Sequence, residues 1–461
     1  MRATALLETA WREPVRILAG FAEEPYALGL LSGGGGPRGR WSYLARSPDA
    51  VLILPPDDPR DPFAALAELI GPRRPGFDER PAPESAPPFQ GGVIGLCAYE
   101  LGDRVEPLGL ERFGDWPDLA CARYPALLAF DHAQRRVVAV GRGADDAQAQ
   151  MRARAALTWL EPTAVPLAPQ GSLTTSLIGE ASERYEAAVA DIVERIGRGE
   201  IFQANIARRW RGRMAPGVRP FDLLARLVED SPAPFAAYLR LPDRAVVSNS
   251  PERFVSVRPV STTSGGPALR VETRPIKGTV RRGRGEAEDQ ALAAALAASA
   301  KDRAENLMIV DLMRNDLARV CRPGSVKTPK LFEVETFANV HHLVSAVEGE
   351  LAQGSTALDL LRATFPPGSI TGAPKVQAMR VIAGLEAPRG PFFGSIILAG
   401  FDGSLDSSVL IRTAALVADA EGWSIEARAG GGIVADSQPA AELLETEAKF
   451  SALRRALTGE M

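Results

Sequence analysis

Over roughly the first 170 residues, short apolar runs are broken by proline, glycine and charged residues, a pattern of strands and loops with few helices. Val51-Leu52-Ile53-Leu54 reads as a buried strand stopped by Pro55-Pro56, and Gly91-Gly92-Val93-Ile94-Gly95 leads into another. Ala144 to Leu160 is alanine-rich and helical. Ser32 to Gly39 is a glycine loop without the Gly-Lys-Ser/Thr ending that a phosphate cradle needs. Pro81 to Pro88 is a proline-rich connector, and the Pro/Ala segment Glu161 to Ser172 marks the main boundary. The expected division is a strand-rich part over 1–170 and a second part over 171–461.

The second part opens on a helix from Ser182 to about Arg198, with Ser182 as N-cap and Tyr185, Val189, Ile192, Val193 and Ile196 at helical spacing. Glu286 to Arg319 predicts one or two helices, striped by Leu292, Leu296, Leu307, Val310 and Leu317. Val246-Val247-Ser248, Leu331 to Thr336 and Ile396-Ile397-Leu398 are strand-like. Glu421 to Ala427 is a strand entering a triple glycine, and Ala440 to Leu457 is the closing helix. Strands and helices alternate without regular βαβ spacing, which predicts α+β packing rather than a doubly wound sheet.

Composition narrows the partners. The 461 residues carry 53 Lys+Arg against 57 Asp+Glu, a net charge of −4, which gives no reason to expect nucleic acid or an anionic membrane. Cys97, Cys121 and Cys321 are far apart, so neither a zinc site nor a disulfide framework is expected. Glu8, Arg12, Glu13 and Arg16 interrupt any apolar signal core, and no run approaches ~18 apolar residues. A cytoplasmic protein is the expectation.

Candidate chemistry centres on Arg274-Pro275-Ile276-Lys277-Gly278-Thr279. Alone, Lys277 reads as a surface lysine in a basic turn. Burial and neighbouring cations would both disfavour its charged form, and a working amine at neutral pH needs a shift of roughly 3 units below ~10.4. Glu442 and Glu445 stand three apart on a predicted helix, on one face. Two such carboxylates repel unless a cation sits between them, and carboxylate and water oxygens suit Mg²⁺. Lys449 follows one turn later on the same side. Arg412, read as inside an apolar strand, calls for an anionic partner unless its head group simply reaches solvent. Gly430, Gly431 and Gly432 would let a backbone approach an anion closely, or simply form a bend.

Six motifs in order decide among these readings. They are Ser250-Pro251-Glu252-Arg253-Phe254, the Lys277 segment, Ala304 to Leu317, Val340 to Ser345, Gly368 to Lys375, and the glycines followed by Glu442-Leu443-Leu444-Glu445-Thr446. From about Ser182 to about Arg455 the chain resembles the chorismate-utilising enzymes, on their aminodeoxychorismate branch. The resemblance implies a layered α/β complex with mostly antiparallel sheets. It implies Mg²⁺ held by Glu305 and Glu445 with Glu442 close by, Glu252 as the acid for the departing C4 hydroxyl, and His342 near that leaving group. It places Arg412 on the enolpyruvyl carboxylate, Lys449 on a substrate carboxylate, and Thr279 among the substrate contacts. Lys277, where the anthranilate branch carries alanine, implies a covalent adduct at ring C2. Gln203, where the isochorismate and salicylate synthases carry a basic lysine, implies ammonia rather than water. The activity expected is Mg-dependent amination of chorismate at C4 to 4-amino-4-deoxychorismate, on the way to p-aminobenzoate and folate. With no amidotransferase pattern in the chain, ammonia is expected from a separate glutaminase subunit. Alternatives are the anthranilate synthase large component and a catalytically silent subunit on the same fold. One departure stands out: Ile397 and Leu398 replace a Gly-Tyr pair whose tyrosine meets the pyruvyl carboxylate, so a donor is expected to be missing.

Overall fold

Two large antiparallel sheets packed face to face carry the fold, one of 12 strands and one of 10 among the residues described by this computed structural model. Those residues are 3–33, 39–72, 85–161, 167–261, 267–337 and 340–460. The predicted glycine loop, the proline-rich connector and the Pro/Ala segment fall in part outside them. Strand alternation makes the layers. Val246 and Ala415 join the core between the sheets, with Ile94 and Phe254 from the smaller sheet. Their neighbours Ala245, Val247, Ala414 and Leu416 point the other way, onto helices covering the outer face of the larger sheet. Helix Pro439–Thr458 is one of these, laying Phe450 flat on Trp210 with ring centroids 4.0 Å apart.

Both sheets draw strands from each side of residue 170. Leu28–Leu31 pairs with Phe235–Arg240, and Gly92–Cys97 pairs with Ser395–Gly400. Among the described residues no helix is long and apolar enough to cross a membrane.

Several local expectations change. The segment Val51–Leu54 is not a fully buried run. It belongs to strand Ala50–Leu54 at the end of the smaller sheet, where Leu52 and Leu54 are buried while Val51 and Ile53 are exposed. An edge strand with one face in the core cannot hide both faces, whatever its composition. Helix Ser182–Gly197 forms on its predicted apolar stripe, but Ala181 takes the N-cap position and Ser182 is already helical. The segment 286–319 divides into helices Glu286–Ala298 and Ala300–Ala318 at Ser299, whose side chain caps the second by accepting from the Asp302 amide. The triple glycine is no bend: strand Gly422–Ile433 runs through it, with Gly430, Gly431 and Gly432 opposite Ala207, Ile206 and Asn205.

Candidate active site

A bulge aims Lys277. Strand Ile276–Arg281 pairs with Val340–Glu350, Ile276 opposite Val344 and Thr279 opposite His342, so one extra residue is accommodated between the two pairs. Gly278 supplies the left-handed backbone for it, at φ 79°, and a Cβ there would lie 2.8 Å from the Asp302 carboxyl carbon. The displaced strand puts half-buried Lys277 into the wall of a cavity of ≈ 790 Å³. Desolvation holds its ammonium below the usual lysine range, with Lys449 adding to the effect and Glu305, Glu252 and Glu445 opposing it.

Two helices bring carboxylates to the same cavity. Glu305 comes from Ala300–Ala318, and Glu442 and Glu445 from Pro439–Thr458. Burial pushes the Glu305 carboxyl up, against the pull of Lys277 and Lys301. Desolvation also acts on Glu445, but the Lys449 ammonium 2.6 Å away outweighs it and holds that carboxyl down. Lys449 donates to the Gly430 carbonyl as well, at 2.9 Å. Buried Glu442 accepts from the Ser437 hydroxyl at 2.7 Å. The Lys301 ammonium stands between Glu442 and Glu305, 3.9 and 4.0 Å from their oxygens. Like charges are thus gathered here with a cation between two of them.

Glu252, His342 and Arg412 line the same cavity. Glu252 is buried, and desolvation raises its carboxyl despite Ser369, Lys277 and Lys449. Buried His342 meets the Thr279 hydroxyl through Nδ1 at 2.8 Å. Arg412 lies not inside a strand but between strands Leu405–Val409 and Thr413–Asp419, with φ 52°, an uncommon conformation for a side chain of its size, and burial depresses its guanidinium. Among the described residues it makes no salt bridge, which leaves a cation at the cavity wall ready for an anion.

The three glycines lie along one strand. They continue a paired strand, and their missing side chains make room on alternate faces. A Cβ on Gly432 would strike Gln203 Nε2 and stand 3.1 Å from Lys277 Nζ. A Cβ on Gly431 would stand 3.2 Å from Glu442, 3.7 Å from Lys449 and 3.8 Å from Glu445. Gln203 itself is fully buried behind this point rather than lining the cavity, and neither amide atom has a hydrogen-bond partner. Two residues on, Asn205 does line it. Ile397 lies in the core and Leu398 faces a separate cavity with Tyr43 and Phe235, so neither stands where a donor to this site would be lost.

Lys277, Glu252, His342, Thr279, Arg412, Glu305, Glu442, Glu445, Lys449, Gly430 and Gly432 therefore share one cavity, although they span almost 200 positions. Sequence reasoning missed Asn205, Lys301 and Ser369. The first two carried a signal: Asn205 is two along a strand from Gln203, and Lys301 one helical turn before Glu305.

The chain matches the chorismate binding enzyme family over residues 39–455. It is 38% identical to aminodeoxychorismate synthase component 1 of Klebsiella aerogenes, over 97% of each chain. It is also 38% identical to anthranilate synthase component 1 of Haloferax volcanii, over 89% of this chain and 81% of that one. The anthranilate synthase component I structure from Streptococcus pneumoniae TIGR4 superposes with a TM-score of 0.76 at 29% identity, covering 91% of this chain and 93% of that one.

Proposed function

The chain belongs to the chorismate binding enzyme family, and from that premise we propose that it aminates chorismate at C4 to 4-amino-4-deoxychorismate through a covalent adduct on Lys277. The observation that carries this reading is a lysine desolvated in the same cavity as a protonatable Glu252. Relatives named aminodeoxychorismate synthase component 1 stand at 38–42% identity, and those named anthranilate synthase component 1 at 33–38%.

The chemistry follows from those two groups. The neutral Nζ lone pair bonds to ring C2, both ring double bonds shift, and the C4–O bond breaks as Glu252 gives its proton to the departing oxygen, releasing water. Ammonia then bonds to C4, the double bonds shift back, and the C2–N bond breaks. Its electron pair returns to Lys277 as the neutral amine, and the product keeps the surplus proton as its ammonium. Arg412 would hold the enolpyruvyl carboxylate, and Lys449 a substrate carboxylate. His342, fixed by Thr279, would sit by the leaving group.

The donor set also suits Mg²⁺: Glu305, Glu445 and Glu442 offer only carboxylate oxygens, and Lys301 lies where positive charge is already called for. Mg²⁺ needs only one or two carboxylates plus waters and ligand oxygens, so three converging groups are unnecessary. When bound it would neutralise the ring carboxylate and draw electron density from the ring.

Ammonia would come from a separate glutamine amidotransferase, a reading supported by the "component 1" in the relatives' name and by three buried thiols, none of which is placed as a nucleophile in this cavity. The cytoplasm is the compartment such chemistry implies.

Purified chain given chorismate, Mg²⁺ and ammonium should form aminodeoxychorismate, and mass spectrometry without ammonium should find the adduct on Lys277. Lys277→Ala should lose the adduct and slow chorismate consumption by orders of magnitude, with residual product drifting toward anthranilate. Near wild-type amination by Lys277→Ala would defeat the proposal.

A further inference from the structure

Lys301 sits where its own helix does not favour it. It is the second residue of helix Ala300–Ala318, and amide dipoles at a helix start oppose a cation. Its partner along that helix, Glu305, follows it by four positions, the weaker order for such a pair. A carboxylate from another helix accounts for the lysine. Its ammonium lies 4.0 Å from Glu305 and 3.9 Å from Glu442 of helix Pro439–Thr458, whose side chain is only 4% exposed. Both distances exceed a hydrogen bond, so charge alone holds the contact. Among the described residues Glu305 and Glu442 form no other salt bridge, because Lys449 is committed to Glu445 and to the Gly430 carbonyl. The Lys301 side chain is 56% exposed, and its flexible stem is free to swing into solvent.

We infer that Lys301 is a tethered counter-ion that competes with Mg²⁺ for Glu305 and Glu442 and swings into solvent when the metal binds, an inference that rests on the Mg²⁺ reading above. Mg²⁺ takes carboxylate oxygens at about 2 Å, well inside the separation at which the ammonium is held, and two cations crowded onto the same oxygens repel each other. The lysine thus eases the repulsion between two converging carboxylates and at the same time lowers what Mg²⁺ gains by binding them. Chorismate's ring carboxylate would bring a further negative charge to the metal and favour the exchange. Mg²⁺ and chorismate should therefore bind more tightly together than apart, each raising the other's affinity by the same factor.

The test titrates Mg²⁺ alone into the full chain by calorimetry, for wild type, Lys301→Met and Lys301→Arg. The side chain is largely exposed and both replacements suit a helix, so the fold should survive each change. The Mg²⁺ dissociation constant of Lys301→Met should fall about fivefold to tenfold, the order that a unit charge about 4 Å away is worth in water-like surroundings. Lys301→Arg keeps the charge and should stay near wild type. In amination assays the KM for chorismate should fall in Lys301→Met when Mg²⁺ is subsaturating and equal the wild-type value when it is saturating. An unchanged or weaker Mg²⁺ affinity in Lys301→Met overturns the inference. So does a chorismate KM raised at saturating Mg²⁺, which would make Lys301 a substrate contact instead. If neither wild type nor Lys301→Met takes up Mg²⁺, with chorismate or without it, the metal reading itself fails.

Discussion

Adding one methyl group at each of the three glycines in turn should break this protein in three different ways. At Gly432 the new Cβ would stand 3.1 Å from Lys277 Nζ and collide with Gln203 Nε2. Ordinary contact begins at roughly 3.5 Å, so both groups must move by several tenths of an ångström or more. Both are ends of flexible side chains, and the strand backbone at 432 suits alanine, so the fold absorbs the change. The unfolding temperature should hold or rise slightly, since Gly→Ala alone gains about 0.4–1 kcal/mol through the unfolded chain. The displaced amine is costlier: misplacement of a reacting group by about 1 Å loses up to about 10²-fold in rate. Gly431→Ala faces Glu442, Glu445 and Lys449, so it should weaken Mg-dependent chorismate binding and leave adduct chemistry at saturation. Gly430→Ala meets the Ile206 carbonyl and stands 2.7 Å from the Ala207 Cα, backbone that cannot swing aside, so it should destabilise the fold by about 1–3 kcal/mol. Thermal melts, chorismate titrations and single-turnover adduct formation separate the three. Wild-type turnover by Gly432→Ala, or one common defect in all three variants, would refute the assignment of faces.

The pH dependence of kcat/KM should be bell-shaped. The Lys277 nucleophile is the neutral amine, so rate is lost as pH falls through its depressed pKa, and Glu252 works protonated, so rate is lost as pH rises through its raised one. Glu252→Gln should flatten the alkaline limb, and persistence of that limb would assign it elsewhere. EDTA should abolish turnover and Mg²⁺ restore it, while Glu305→Gln and Glu445→Gln should each lower Mg²⁺ affinity measured calorimetrically, because each removes a charged oxygen. Unaltered affinity in both variants would exclude those carboxylates. Glutamine should support turnover only after a glutaminase subunit is added, whereas ammonium should suffice with this chain alone. Glutamine-driven turnover by the rigorously purified chain would remove the need for a partner.

Much of this molecule is local and therefore written in the sequence. Helical spacing marks Ser182–Gly197, and the three-residue step from Glu442 to Glu445 puts both carboxylates toward one cavity because a helix turns every 3.6 residues. Lys277 was conspicuous through its neighbours in the chain. What the sequence left undecided depends on packing. Gly430 to Gly432 could approach an anion or form a bend, and pairing with Gln203–Met214 continues the strand through them, with gaps that admit different groups on each face. Gln203 and Asn205 are both polar residues on one strand, and only the approach of Gly432 and Lys277 buries the first while leaving the second at the cavity wall. Val51 and Ile53 are as apolar as Leu52, yet position at the sheet edge exposes them. The lowering of the Lys277 pKa likewise belongs to the tertiary structure, because desolvation and the surrounding charges come from helices and strands that are remote in the chain until the sheets close around them.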